Sequence, residues 1–175
     1  MSLRPPVSEQ DHIQGNPGAA IELVEYGDYQ CPHCGHAYPI VKQLQEALGD
    51  KLKFIFRNFP LSEIHPDARL AAVAAEAASR QGKYWEMHDI IFENQEQLKK
   101  SNLLEYARQI GLDLPRFQTD LESSDLMDIV EEDFESGVRS GVNGTPTFFV
   151  DGRKYGGSWE PEAFAAFLNS RLKEA

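Results

Sequence analysis

Cys31 and Cys34 are the only cysteines of the chain, set in the run Tyr29-Gln30-Cys31-Pro32-His33-Cys34-Gly35. Any sulfur chemistry is therefore confined to this pair. Two thiols two residues apart close and reopen a small disulfide ring with little backbone movement, as a reversible two-electron carrier requires. A ring this short adds little as a structural staple, because stabilisation by loop closure grows with loop length.

The flanking patterns say what must hold the pair. Ile21-Glu22-Leu23-Val24-Glu25-Tyr26 is rich in β-branched and aromatic residues and ends at Gly27-Asp28, which predicts a buried strand. Tyr38, Val41, Leu44 and Leu48 then recur at helical spacing until Gly49-Asp50, so a helix over 31–48 carries the cysteines at its amino end. Unpaired N–H groups and the positive end of the helix dipole stabilise a thiolate there. Cys31 lies outermost and is read as the attacking thiolate, with Cys34 as the resolving thiol. Pro32 suits the first turn, where its missing N–H costs no bond. His33 has two readings: a cationic imidazole beside Cys31 would favour the reduced form, or the side chain is an exposed polar residue in a turn.

A strand, a Cys-Pro-His-Cys helix start and the downstream run Gly144-Thr145-Pro146-Thr147-Phe148-Phe149-Val150-Asp151-Gly152 resemble the thioredoxin superfamily, in its DsbA-like branch, over roughly residues 20 to 173. The resemblance implies a thiol–disulfide oxidoreductase whose Pro146 is cis and lies against the active disulfide, with Thr145 and Pro146 contacting substrate. Thr145, the residue that tunes redox behaviour in this family, stands where the best-known periplasmic oxidase has valine, which leaves the direction of electron flow open. The resemblance also places a buried acid at Glu25. Glu25 shares strand parity with Ile21 and Leu23, so its carboxyl would face apolar neighbours and relay a proton to Cys34; the alternative is a strand-end glutamate reaching solvent.

The order of patterns fits an α/β thioredoxin fold, a central mixed sheet flanked by helices, with an inserted helical subdomain. Strand 21–26, helix 31–48 and strand 52–58 form a βαβ unit. Apolar stripes predict helices over 67–80, from Trp85 to Phe92, from Leu103 to Ile110, from Pro115 to Leu121 and from Leu126 to Val138. Strands 147–150 and 153–155 flank the hairpin signal Asp151-Gly152, and Pro161 opens a last helix. The expected division is an N-terminal extension over 1–19, a thioredoxin-like core over 20–60 and 141–175, and a helical insertion over 61–140.

With 17 Lys and Arg against 28 Asp and Glu, the net charge is −11, which argues against nucleic acid and anionic membranes as partners. Nothing is apolar enough to insert into a bilayer, and Met1 to Pro17 is not read as a signal peptide. The protein is then cytoplasmic, or periplasmic or otherwise extracytoplasmic if a leader has been removed. His88 lies on an apolar stripe and reads as a hydrogen-bonded core residue, and His65-Pro66 as a helix entry. Cys31, Cys34 and His33 or His36 fall short of the closed ligand set of structural zinc, since no second Cys-x-x-Cys is present, and the two-electron couple needs no cofactor. The expected partners are protein or peptide thiols and disulfides and a recycling redox partner. Tyr29, Phe148 and Trp159 are candidates for an apolar substrate groove, with core packing the expected fate of Phe148. Two other readings stay open: a thioredoxin-like reductase or isomerase, and a non-catalytic thioredoxin-like binding module.

Overall fold

The computed structural model describes residues 1–173. Five strands, β1 (Ile13–Gly15), β2 (Ile21–Gly27), β3 (Leu52–Asn58), β4 (Thr147–Val150) and β5 (Arg153–Lys154), form one sheet in the order β1-β3-β2-β4-β5. Only the β2 and β3 pair is parallel. The crossover between them is α1 (Pro32–Leu48), followed by a 3-10 turn at Gly49–Lys51. Between β3 and β4 lie α2 (Ala68–Ser79), α3 (Tyr84–Phe92), α4 (Lys100–Gln109), α5 (Leu114–Asp120) and α6 (Ser124–Arg139), and α7 (Pro161–Lys173) closes the described chain. The predicted strands and helices are present, most with ends shifted by one to three residues.

β1 was not predicted. Its three residues lie in a polar, Pro-rich stretch too short for a period-two pattern to show, and pairing with β3, Ile13 opposite Ile55, makes it a strand.

Strand alternation divides the core. Ile21, Leu23, Phe54, Phe56, Phe148 and Val150 face α1 and α7, whose Leu44, Phe164 and Leu168 are buried against them. Val24, Tyr26, Ile55 and Phe149 face the other way, onto Leu3, Phe59 and Val142. The alanines of α2 are all buried, and their small side chains let α3, α4, α5 and α6 all pack against one central helix. The N-terminal residues cross the second face. They are held there by the ion pair of buried Arg57 with Asp11 at 2.8 Å and by His12 on Glu76 at 2.9 Å.

Candidate active site

Cys31 is the N-cap of α1, with extended φ and ψ of −71° and 124°, and Pro32 occupies the first turn as its fixed φ allows. Its main-chain N–H donates to the Asp28 carbonyl at 3.1 Å, and its carbonyl accepts the first helical bond from Gly35 at 3.0 Å. Cys31 keeps 4 % of its surface exposed and Cys34 none, so Cys31 is the sulfur that an incoming group can meet. Its Sγ lies 3.7 Å from the carbonyl oxygen of Thr145, and the Thr145–Pro146 peptide is cis.

The two thiols are driven apart in acidity. A hydrogen bond from the Cys34 thiol lowers the Cys31 pKa to about 5, against the opposing effect of burial and with help from Thr145 and from the main-chain N–H groups of Cys34 and His33. Burial, first, and then donation to Cys31 push the Cys34 thiol well above its ordinary value. The His33 side chain is exposed, and the contribution found for this residue is that of its backbone.

Glu25 faces the same side of the sheet as Ile21 and Leu23, as its parity predicts, and is 3 % exposed. Burial, with the Cys31 charge adding to it, raises its carboxyl to about 8, and its Oε2 has no hydrogen-bond partner among the described residues. Gly27 is small for a reason here: a Cβ would come within 2.8 Å of that Oε2 and 2.5 Å of the Phe56 ring.

The turn that presents the pair is clamped from several elements. Gln95, in the loop after α3, donates through Nε2 to the carbonyls of Tyr29 at 2.8 Å and Cys31 at 2.9 Å. A Cβ on Gly35 would fall 1.9 Å from the Gln95 Oε1, so the glycine admits the clamp. Gln30 accepts the Asp67 N–H at 2.8 Å, and the buried Asp28 carboxylate takes the Gln30 N–H at 2.7 Å. Asp28, Gln95 and His65 were not among the predicted site residues. Asp28 is adjacent in sequence but reads as a strand stop, and Gln95 and His65 reach the turn only through tertiary folding.

Of the candidate groove aromatics, Tyr29 and Phe148 are core residues, 1 % and 2 % exposed, and Trp159 is partly exposed with its ring 5.5 Å from that of His36. Buried His88 sits among Tyr29, Phe56 and Phe92, with Nδ1 on the Tyr29 hydroxyl at 2.9 Å.

A family model described as thioredoxin matches residues 7–170. The chain belongs to the thioredoxin family. Its mixed sheet with a helical insertion is shared by a thioredoxin-like oxidoreductase from Silicibacter pomeroyi, which superposes with a TM-score of 0.84 at 28 % identity, covering 96 % of this chain and 95 % of that one. BdbD from Bacillus subtilis shares the fold with a TM-score of 0.83 at 24 % identity, over 93 % of each chain. Among curated relatives, a protein of Salinispora arenicola named Na(+)/H(+) antiporter NhaA 1 is 42 % identical over 93 % of this chain. The chain spans about a quarter of the length of the antiporter-named relatives it matches. No helix among the described residues is long and apolar enough to cross a membrane.

Proposed function

We propose that the protein is a DsbA-type oxidant that passes the Cys31–Cys34 disulfide to protein or peptide dithiols. The observation that carries this reading is the split between the thiols, with Cys31 held down to about 5 and Cys34 raised. A substrate thiolate attacks Cys31 Sγ, the intramolecular S–S bond breaks, and its electron pair leaves on Cys34, which takes up a proton. The second substrate thiol, deprotonated, then attacks the sulfur bound to Cys31 and releases Cys31 as a stabilised thiolate. The substrate loses two electrons and the protein dithiol gains them, and the reverse sequence is reduction.

Each assigned residue has a task in this scheme. Glu25, the buried acid whose charge bears on the Cys34 thiol, supplies and accepts the proton of Cys34. Pro32 opens the helix whose N–H groups face Cys31, and His33 adds its backbone N–H and, when cationic, charge. Thr145 and Pro146 hold the incoming chain, a role supported by the Thr145 carbonyl lying 3.7 Å from Cys31 Sγ. Partners are then protein thiols and a separate recycling protein. Residues 61–140 serve as a helical insertion that covers and clamps the site.

Magnitudes favour oxidation over reduction. Thioredoxin, with a thiol near about 7, has a potential of roughly −270 mV, and a thiol at about 5 stabilises the reduced form at pH 7 by about 50 mV more. The potential expected from equilibration with glutathione buffers therefore lies between about −220 mV and the roughly −120 mV of the strongest oxidant of this type. A value at or below about −270 mV would make the protein a reductase.

A further inference from the structure

We infer that Asp28 is a positioning residue for the redox pair and that His65 locks it in place, an inference that rests on the reading of Cys31 and Cys34 as the exchanging thiols. Asp28 is 1 % exposed, and its main chain touches both cysteines. Its N–H donates to Cys34 Sγ at 3.4 Å, and its carbonyl accepts the N–H of Cys31 at 3.1 Å. Its carboxylate is equally committed. Oδ1 takes the Gln30 N–H at 2.7 Å, while Oδ2 takes the Leu61 N–H at 2.9 Å and Nδ1–H of His65 at 2.7 Å.

An aspartate that merely shaped its own turn would need only the Gln30 bond. The two bonds at Oδ2 come from the segment between β3 and α2, more than thirty residues on, and fix where the Asp28 peptide lies. That position matters to sulfur chemistry. With an N–H from Asp28 on its lone pair, the Cys34 sulfur is oriented so that its S–H points at Cys31, and this donated bond is the strongest influence holding Cys31 as a thiolate. His65 completes the shell of Oδ2 and places a proton against the buried carboxylate, and its loss would leave that oxygen with the Leu61 N–H alone. The other charged or titratable groups around the knot are Asp67, paired with Lys99 at 3.2 Å, and Glu25 with the two cysteines.

His65 is the residue to change, because its side chain is 17 % exposed and replacing it removes the lock while Asp28 and its own main-chain groups stay in the sequence. In the reduced protein, the ultraviolet absorbance of the thiolate is followed against pH for the unaltered chain, His65→Ala and His65→Asn, and the potential of each is taken by glutathione equilibration. His65→Ala is expected to shift the Cys31 titration upward by about half a pH unit, roughly threefold in its protonation equilibrium, and to make the disulfide less oxidising. His65→Asn can set an amide N–H where Nδ1 stood and should recover most of that shift. A folded His65→Ala that titrates and equilibrates like the unaltered chain would overturn the inference, as would a His65→Asn no better than alanine. If the unaltered cysteines do not exchange with glutathione, the redox reading falls and this inference with it.

Discussion

At the scale of single residues, the site is a contest between burial and hydrogen bonding, and the two sulfurs come out on opposite sides. Cys34→Ala should accumulate mixed disulfides through Cys31, visible on non-reducing gels, whereas Cys31→Ala should neither trap nor turn over; turnover by Cys31→Ala would reverse the assignment. Glu25 is the costly member. Its carboxyl titrates at about 8 in the fold against an ordinary 4.5, so stability falls as pH rises across that interval. At pH 7 the cost is about 3 kcal/mol. Glu25→Gln should therefore be more stable in urea at neutral pH and slower in the proton-dependent step at Cys34; equal stability and equal rate would remove it from both roles. Cys31, Cys34 and the parity of Glu25 could be read from the sequence because each depends on spacing within one element. Asp28, His65 and Gln95 could not, since hydrogen bonds between residues dozens of positions apart leave no periodic trace.

Among elements, the amino end of α1 owes its geometry to a side chain from outside it. Gln95 stands where a Cβ on Gly35 would be, so the two positions should be energetically coupled. In the unaltered chain, Gly35→Ala displaces the amide from two carbonyls and loses hydrogen bonds worth about 1 kcal/mol each, which offsets a helix-propensity gain of similar size. In a Gln95→Ala background the same change should stabilise by about 0.5–1 kcal/mol. A double-mutant cycle by urea denaturation checks this, and additive effects would show that the clamp does not bear on the glycine. Most elements were predictable from apolar period and from stops such as Gly49-Asp50 and Asp151-Gly152, because each buries a stripe on one side. β1 was not, because three residues cannot display a period and its strand character comes from its neighbour.

For the whole molecule, the thiolate links redox state to folding. The Cys31 value of about 5 lies below the ordinary 9.0, so the stabilisation it brings to the reduced protein is complete above pH 9 and is lost as pH falls to 5. Near pH 7 it amounts to about 2–3 kcal/mol. The oxidised form has no such thiolate, and the stability of the reduced form relative to the oxidised one should shrink on acidification through this window. Chemical denaturation of both forms at several pH values checks the sign, and a difference that grows toward acid would refute the linkage.

The path of the first fifteen residues has a further consequence. They supply β1 beside β3 at one margin of the sheet, and at the other margin Ser2 bridges Arg153 and the Met1 carbonyl takes the Lys154 N–H. A single short stretch thus finishes both rims, and between them it lays Leu3 over the second face. Shearing it off would bare the edges of β3 and β5 and an apolar patch together, which is the surface from which strand-to-strand aggregation starts.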